Sequence, residues 1–149
     1  MSQTPSTLQA LRAEDVMTRN PVTMDITGTV QDAADLMRAA DVRHLPVLEH
    51  GTLVGLLSDR DLRSYMLPRS ERIFRPDEER ARLTVSVGAI LPSDVLTARP
   101  DTPVAELLDL LLEEKIGAVP VLAPDTGDLI GMVSYIDMLR AFRPFLHSA

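Results

Sequence analysis

The spacing Gly-x-x-Ser-x-x-Asp occurs twice in this chain, as Gly55, Ser58 and Asp61 and again as Gly131, Ser134 and Asp137. In both places it follows an apolar run and opens a helical pattern. Serine three residues before an acid can form a capping box, each side chain satisfying a backbone N–H of the other. The same residue types suit a ligand. Free N–H groups at a helix start attract phosphate, a hydroxyl can donate to a phosphate oxygen, and a carboxylate can accept from two vicinal ribose hydroxyls. The motif alone leaves both readings open.

Other chemistries find less support. Cysteine is absent, which removes disulfides, thiolate metal sites and cysteine nucleophiles. His44, His50 and His147 show no metal-ligand spacing. Asp59 and Asp61 could hold magnesium beside bound phosphates. Neither serine sits in a Gly-x-Ser-x-Gly elbow, and no Gly-rich loop ends in Gly-Lys-Ser/Thr. The expectation is a protein that is not an enzyme.

The elements that position these residues are repeated. Thr23 aligns with Thr97, an offset of 74, and then Val30 with Val104, Leu36 with Leu110, and residues 45–48 (Leu-Pro-Val-Leu) with 119–122 (Val-Pro-Val-Leu). Two extra residues in the second copy shift the offset to 76, after which Gly55, Ser58 and Asp61 meet Gly131, Ser134 and Asp137. Each copy reads as β-α-β-β-α, with a short strand at 22–24 in the first. Thr29 with Asp32 should cap the first helix, whose apolar face is Val30, Ala33, Ala34 and Met37. In the second copy Thr102 should cap and Pro103 take the first helical position. Second helices are expected at about 59–66 and 135–145. The divisions are 1–15, an N-terminal segment; 16–66, repeat one; 67–86, a partly helical, solvated linker; and 87–146, repeat two. A single copy would bury too little surface alone; two stacked sheet to sheet would share a core.

The 149 residues are 45% apolar and 25% charged, as in a globular protein. The net charge of −7 and the scarcity of aromatic residues argue against nucleic acid. No apolar run reaches membrane-spanning length and residues 1–13 lack a signal-peptide pattern, so a cytoplasmic location is expected.

The order Met17-Thr18-x-x-Pro21-Val22-Thr23, a helix, His44-Leu45-Pro46-Val47, then Gly-x-x-Ser-x-x-Asp, resembles the cystathionine-β-synthase (CBS) repeat. The resemblance covers most of the chain and implies an α/β (α+β) fold of two β-α-β-β-α repeats packed sheet to sheet with pseudo-two-fold symmetry, a Bateman module. It implies a regulatory module for AMP, ADP, ATP or S-adenosylmethionine, bound in clefts between the repeats and signalling by a change of shape or assembly. Asp61 and Asp137 become ribose acceptors, with Ser58 and Ser134 as nearby polar contacts. Thr18, Pro21 and Val22 would border the base in repeat one, beside His44, Leu45 and Pro46. Val95 and Leu96, with Ala118, Val119 and Pro120, are their counterparts. Phosphates would lean on repeat one, which offers Arg43, His44 and Arg60 where repeat two has Gly117, Ala118 and Ile136. Arg43 and Arg60 could equally form salt bridges with Asp41 or Asp59. No cofactor is required beyond the nucleotide, with or without magnesium.

The leucine-rich stretch 104–114 is wider in apolar surface than one buried face needs, which fits either a buried core helix or, as the resemblance implies, a homodimer interface. An unidentified effector protein would receive the signal. The alternative is a structural or dimerisation module of the same fold that binds no small molecule.

Overall fold

A computed structural model describes residues 7–147. Seven α-helices and six strands are formed among them: α1 (Ala13–Val16), β1 (Thr18–Arg19), β2 (Met24–Asp25), α2 (Val30–Ala40), β3 (His44–Glu49), β4 (Thr52–Ser58), α3 (Asp59–Tyr65), α4 (Arg69–Arg72), α5 (Pro76–Leu83), α6 (Val104–Glu114), β5 (Ala118–Leu122), β6 (Leu129–Ser134) and α7 (Tyr135–His147). They make two compact units. One is continuous, Val22–Val95; the other joins residues up to Pro21 with those from Leu96 onward.

In the continuous unit the sheet order is β2-β3-β4, with β2 parallel and β4 antiparallel to β3. The β3–β4 turn places His50 and Gly51 at positive φ (51° and 78°), the left-handed pair a tight hairpin requires. Pro46 lies inside β3 yet breaks no ladder, because β2 pairs only with Val47 and Leu48. On that side Pro46 is effectively at an edge, where its missing N–H is harmless. Helix α2 begins as the sequence demands: Thr29 accepts from the Asp32 N–H while Asp32 accepts from the Thr29 N–H. Its face of Val30, Ala33 and Met37 is buried with Leu45, Val47, Leu57, Leu62 and Val87.

The discontinuous unit has sheet order β1-β6-β5, both pairings antiparallel. Ala98 bridges Val121 in parallel, which repeats the place of β2. Its core is Leu11, Ala13, Val104, Leu107, Leu111, Val119, Val121, Val133 and Met138. Each unit thus has a cluster of buried residues of its own.

What the copies share is the segment that precedes each. Residues 11–18 lead into repeat one but fold with repeat two. Ala13 N–H donates to Thr102 O (2.8 Å) and Val104 N–H to Leu11 O (2.9 Å). The same pair recurs 74 residues on: Val87 N–H donates to Gly28 O (2.8 Å) and Val30 N–H to Val85 O (2.9 Å). Residues 85–92 lead into repeat two but fold with repeat one. The two motif glycines accommodate this exchange. A Cβ on Gly131 would collide with Met17, and one on Gly55 with Leu91, the residue 74 positions after Met17.

Three local expectations change. The strand expected at 22–24 is Met24–Asp25, beginning two residues later. Pro103 is the residue before α6, and Thr102 accepts from the Arg99 N–H instead of capping. The repeat offset itself puts Pro103 opposite the capping Thr29. The linker carries the expected helix plus the short α4, and its Arg72–Glu79, Arg75–Glu78 and Arg82–Glu78 pairs keep it largely solvated. It is nonetheless anchored: Arg82 donates to Tyr65 O (2.8 Å), and Leu83 and Val85 pack on the core.

Candidate functional site

Both Gly-x-x-Ser-x-x-Asp motifs end a strand and open a helix, β4 into α3 and β6 into α7. In each, the Ser N–H and hydroxyl donate to one aspartate oxygen. For Ser58 both distances to Asp61 Oδ2 are 2.8 Å. For Ser134 they are 2.8 and 3.0 Å to Asp137 Oδ2. The aspartate N–H donates back to the serine oxygen, completing the box. Main-chain carbonyls take a further donor: Asp59 N–H goes to Arg43 O and Tyr135 N–H to Gly117 O. The helix starts are therefore mostly satisfied internally, and each serine's one hydroxyl hydrogen is already engaged. The capping reading of Ser58 and Ser134 is realised; the free donors that a phosphate would seek there are few.

The remaining carboxylate oxygens differ. Asp137 is buried and its Oδ1 accepts from the Thr18 hydroxyl at 2.9 Å. Asp61 is half-buried, and its Oδ1 receives no hydrogen bond among the described residues. The oxygen-bearing neighbour of Asp137 is therefore Thr18 of the first leader segment. It lies on β1, paired with Met132 of repeat two, because residues 11–18 cross into that sheet. Its counterpart by the repeat offset is Pro92, which has neither hydroxyl nor N–H.

In the continuous unit His44 starts β3 opposite Ser58, half-buried. Burial holds its imidazole below the ordinary value of 6.5, with Arg43 adding to that and Asp61 and Asp59 opposing it. Arg43 and Arg60 are exposed and make no ion pair among the described residues; Asp59 pairs with Arg63 instead (3.2 Å), the i,i+4 partner on its own helix. The salt-bridge reading of Arg43 and Arg60 is not what forms. No grouping of three His, Asp or Glu suited to a metal ion occurs among the described residues.

Leu45 and Val119 are fully buried members of their cores, so their side chains have no free surface for an adenine ring. Pro46, Ala118 and Pro120 are buried beside them. Pro21 and Val95 are half-buried and Val22 and Leu96 exposed, all in loops before the sheets. An open polar groove beside α6, lined by Arg12, Arg99, Thr102 and Glu106 among others, includes none of the residues expected from sequence. Sequence reading missed the engagement of Thr18 with Asp137, which depends on the β1–β6 pairing and leaves no local signal.

The CBS domain family matches the sequence over residues 13–68 and again over 87–144. The chain belongs to the CBS domain family. A CBS domain-containing protein of Dictyostelium discoideum is 30% identical over 131 residues, covering 85% of this chain and 87% of its relative. CBS domain-containing protein YhcV of Bacillus subtilis is 26% identical over 125 residues, 84% of this chain and 81% of that one. Among solved structures, CBSX2 in complex with AMP superposes with a TM-score of 0.74 at 28% identity, over 91% of this chain and 98% of its own. The mixed α+β architecture with two three-stranded sheets is that of a CBS domain pair. No helix of the described residues is long and apolar enough to cross a membrane.

Proposed function

We propose that this CBS pair is a regulatory, non-catalytic module that binds an adenine nucleotide. The observation that carries the proposal is in the continuous unit: Asp61 Oδ1 receives no hydrogen bond among the described residues, and the same helix start and strand entrance carry His44 with the exposed Arg43 and Arg60, whose guanidinium groups make no ion pair among those residues. A carboxylate with a free oxygen suits a ribose diol, and unpaired guanidinium groups suit phosphate. In a protein of net charge −7 such a local cationic cluster is what an anionic ligand needs. That CBSX2 was solved with AMP supports the ligand class. The discontinuous unit offers a second, poorer site at Asp137.

Output would pass to an effector protein or through self-association, for which Leu108 and Leu112 of α6, one turn apart and exposed, supply apolar surface. The cytoplasm is the location this reading expects. Calorimetric titration with AMP, ATP and S-adenosylmethionine tests it. Asp61→Ala should weaken binding about ten- to a hundredfold, as loss of a charge-assisted hydrogen-bond pair implies, and Asp137→Ala less. Unchanged affinity in both variants defeats the assignment of the acceptors.

A second reading is favoured by the closed capping boxes, whose serines are complete without a ligand. In that reading the fold is a structural module. Thermal melting separates the two, since a ligand selective for the native state must raise the melting temperature.

A further inference from the structure

We propose that the linker between the repeats carries a docking tip that seats on α6 of a second copy of this chain. The tip is the bend between α4 and α5, where Ile73 and Phe74 stand side by side, each 82% exposed. The bend is held in place by its neighbours. Arg72 donates to Leu67 O at 3.1 Å and pairs with Glu79, and the Phe74 N–H donates to Glu71 O at 3.1 Å. Two large apolar side chains are thus offered to solvent on a fixed backbone, which lowers the ordering cost of binding.

Charge and apolar pattern select the occupant. Residues 67–75 hold Arg69, Arg72 and Arg75 against Glu71 alone. Helix α6 has the opposite make-up: Glu106, Asp109, Glu113 and Glu114 with no basic residue, and none of the four makes an ion pair among the described residues. Leu108 and Leu112 are exposed one turn apart on this helix, and Asp109 and Glu113 adjoin them around it. Ile73 and Phe74 match the leucines. Arg69, exposed and without an ion pair among the described residues, matches the acids. The first copy cannot offer the same seat. The offset of 74 puts Ala34 and Arg38 where α6 has Leu108 and Leu112, and Arg38 already pairs with Asp35. Tip and seat are unlike surfaces, so the contact is heterologous. This deepens the self-association reading of α6 and does not depend on the nucleotide.

Sedimentation of the intact protein over a range of concentrations, at low and at high salt, tests the proposal. The wild type should associate, and more tightly at low salt. Phe74→Ala should weaken association about thirtyfold, the loss of an aromatic anchor. Phe74→Asp and Leu112→Arg, both at exposed positions, should each stay monomeric and keep the wild-type melting temperature. Mixed in equal amounts they should form a one-to-one pair, because one variant brings an intact seat and the other an intact tip. If the leucine faces pair with each other instead, Phe74→Asp still associates and the inference is overturned. Association of the wild type without rescue in the mixture also overturns it, while leaving self-association standing. A wild type that stays monomeric removes both. Binding of that monomer to phosphatidylserine vesicles, lost in Phe74→Asp, would assign the tip to a membrane and overturn the inference as well.

Discussion

His44 is a residue whose charge depends on its surroundings. Burial outweighs the attraction of Asp61 and Asp59, so the folded chain holds the imidazole neutral at a pH where the unfolded chain already protonates it. The unfolded state then binds more protons, and stability must drop as the pH is lowered. This contribution is intact above about pH 6.5 and declines as pH drops through the folded-state value. His44→Gln should flatten the dependence of melting temperature on pH between about 7 and 5; an unaltered slope would place the titrating group elsewhere. At this scale the sequence was informative about identity and poor about partners. Ser58, Asp61, Ser134 and Asp137 could be named from spacing because a capping box is local. That Thr18 donates to Asp137 could not, since 119 residues separate them and the hydrogen bond depends on a sheet pairing.

Helices announced themselves through period and caps, as Thr29 and Asp32 did for α2. Strands of two residues did not, because so short a run carries no alternation and its partner is chosen by distant packing. β1 is such a case, and so the neighbour of the first leader was illegible while β3–β6 were plain. The motif glycines were legible as landmarks only; their reason is the close pass of Met17 and Leu91. Gly131→Ala should destabilise the chain by about 1–3 kcal/mol, the usual cost of overpacking. Met17→Ala in the same chain should recover part of that loss, because it frees the space the new methyl needs. Denaturant unfolding of both single variants and the double variant checks this, and strict additivity would deny that the two residues oppose each other.

For the whole molecule, the repeat and the folding unit are different stretches of chain. Removing residues 1–17 takes Leu11, Ala13 and Met17 from the core and flank of the discontinuous unit. Hydrogen exchange should then quicken selectively in β5 and β6, with β3 and β4 keeping their protection; a uniform change across both sheets would contradict the division into two cores. The sequence disclosed that there are two copies, since side-chain pattern records kinship. It did not disclose where the fold divides, since backbone hydrogen bonds between leader and partner leave no compositional trace.

Because each leader serves the other copy, the stretch that duplicated and the stretch that folds run out of phase by one leader's length. A gene cut at the kinship boundary would yield two pieces each carrying a misplaced N-terminal arm, whereas a cut after Pro21 and after Val95 follows the joints of the architecture.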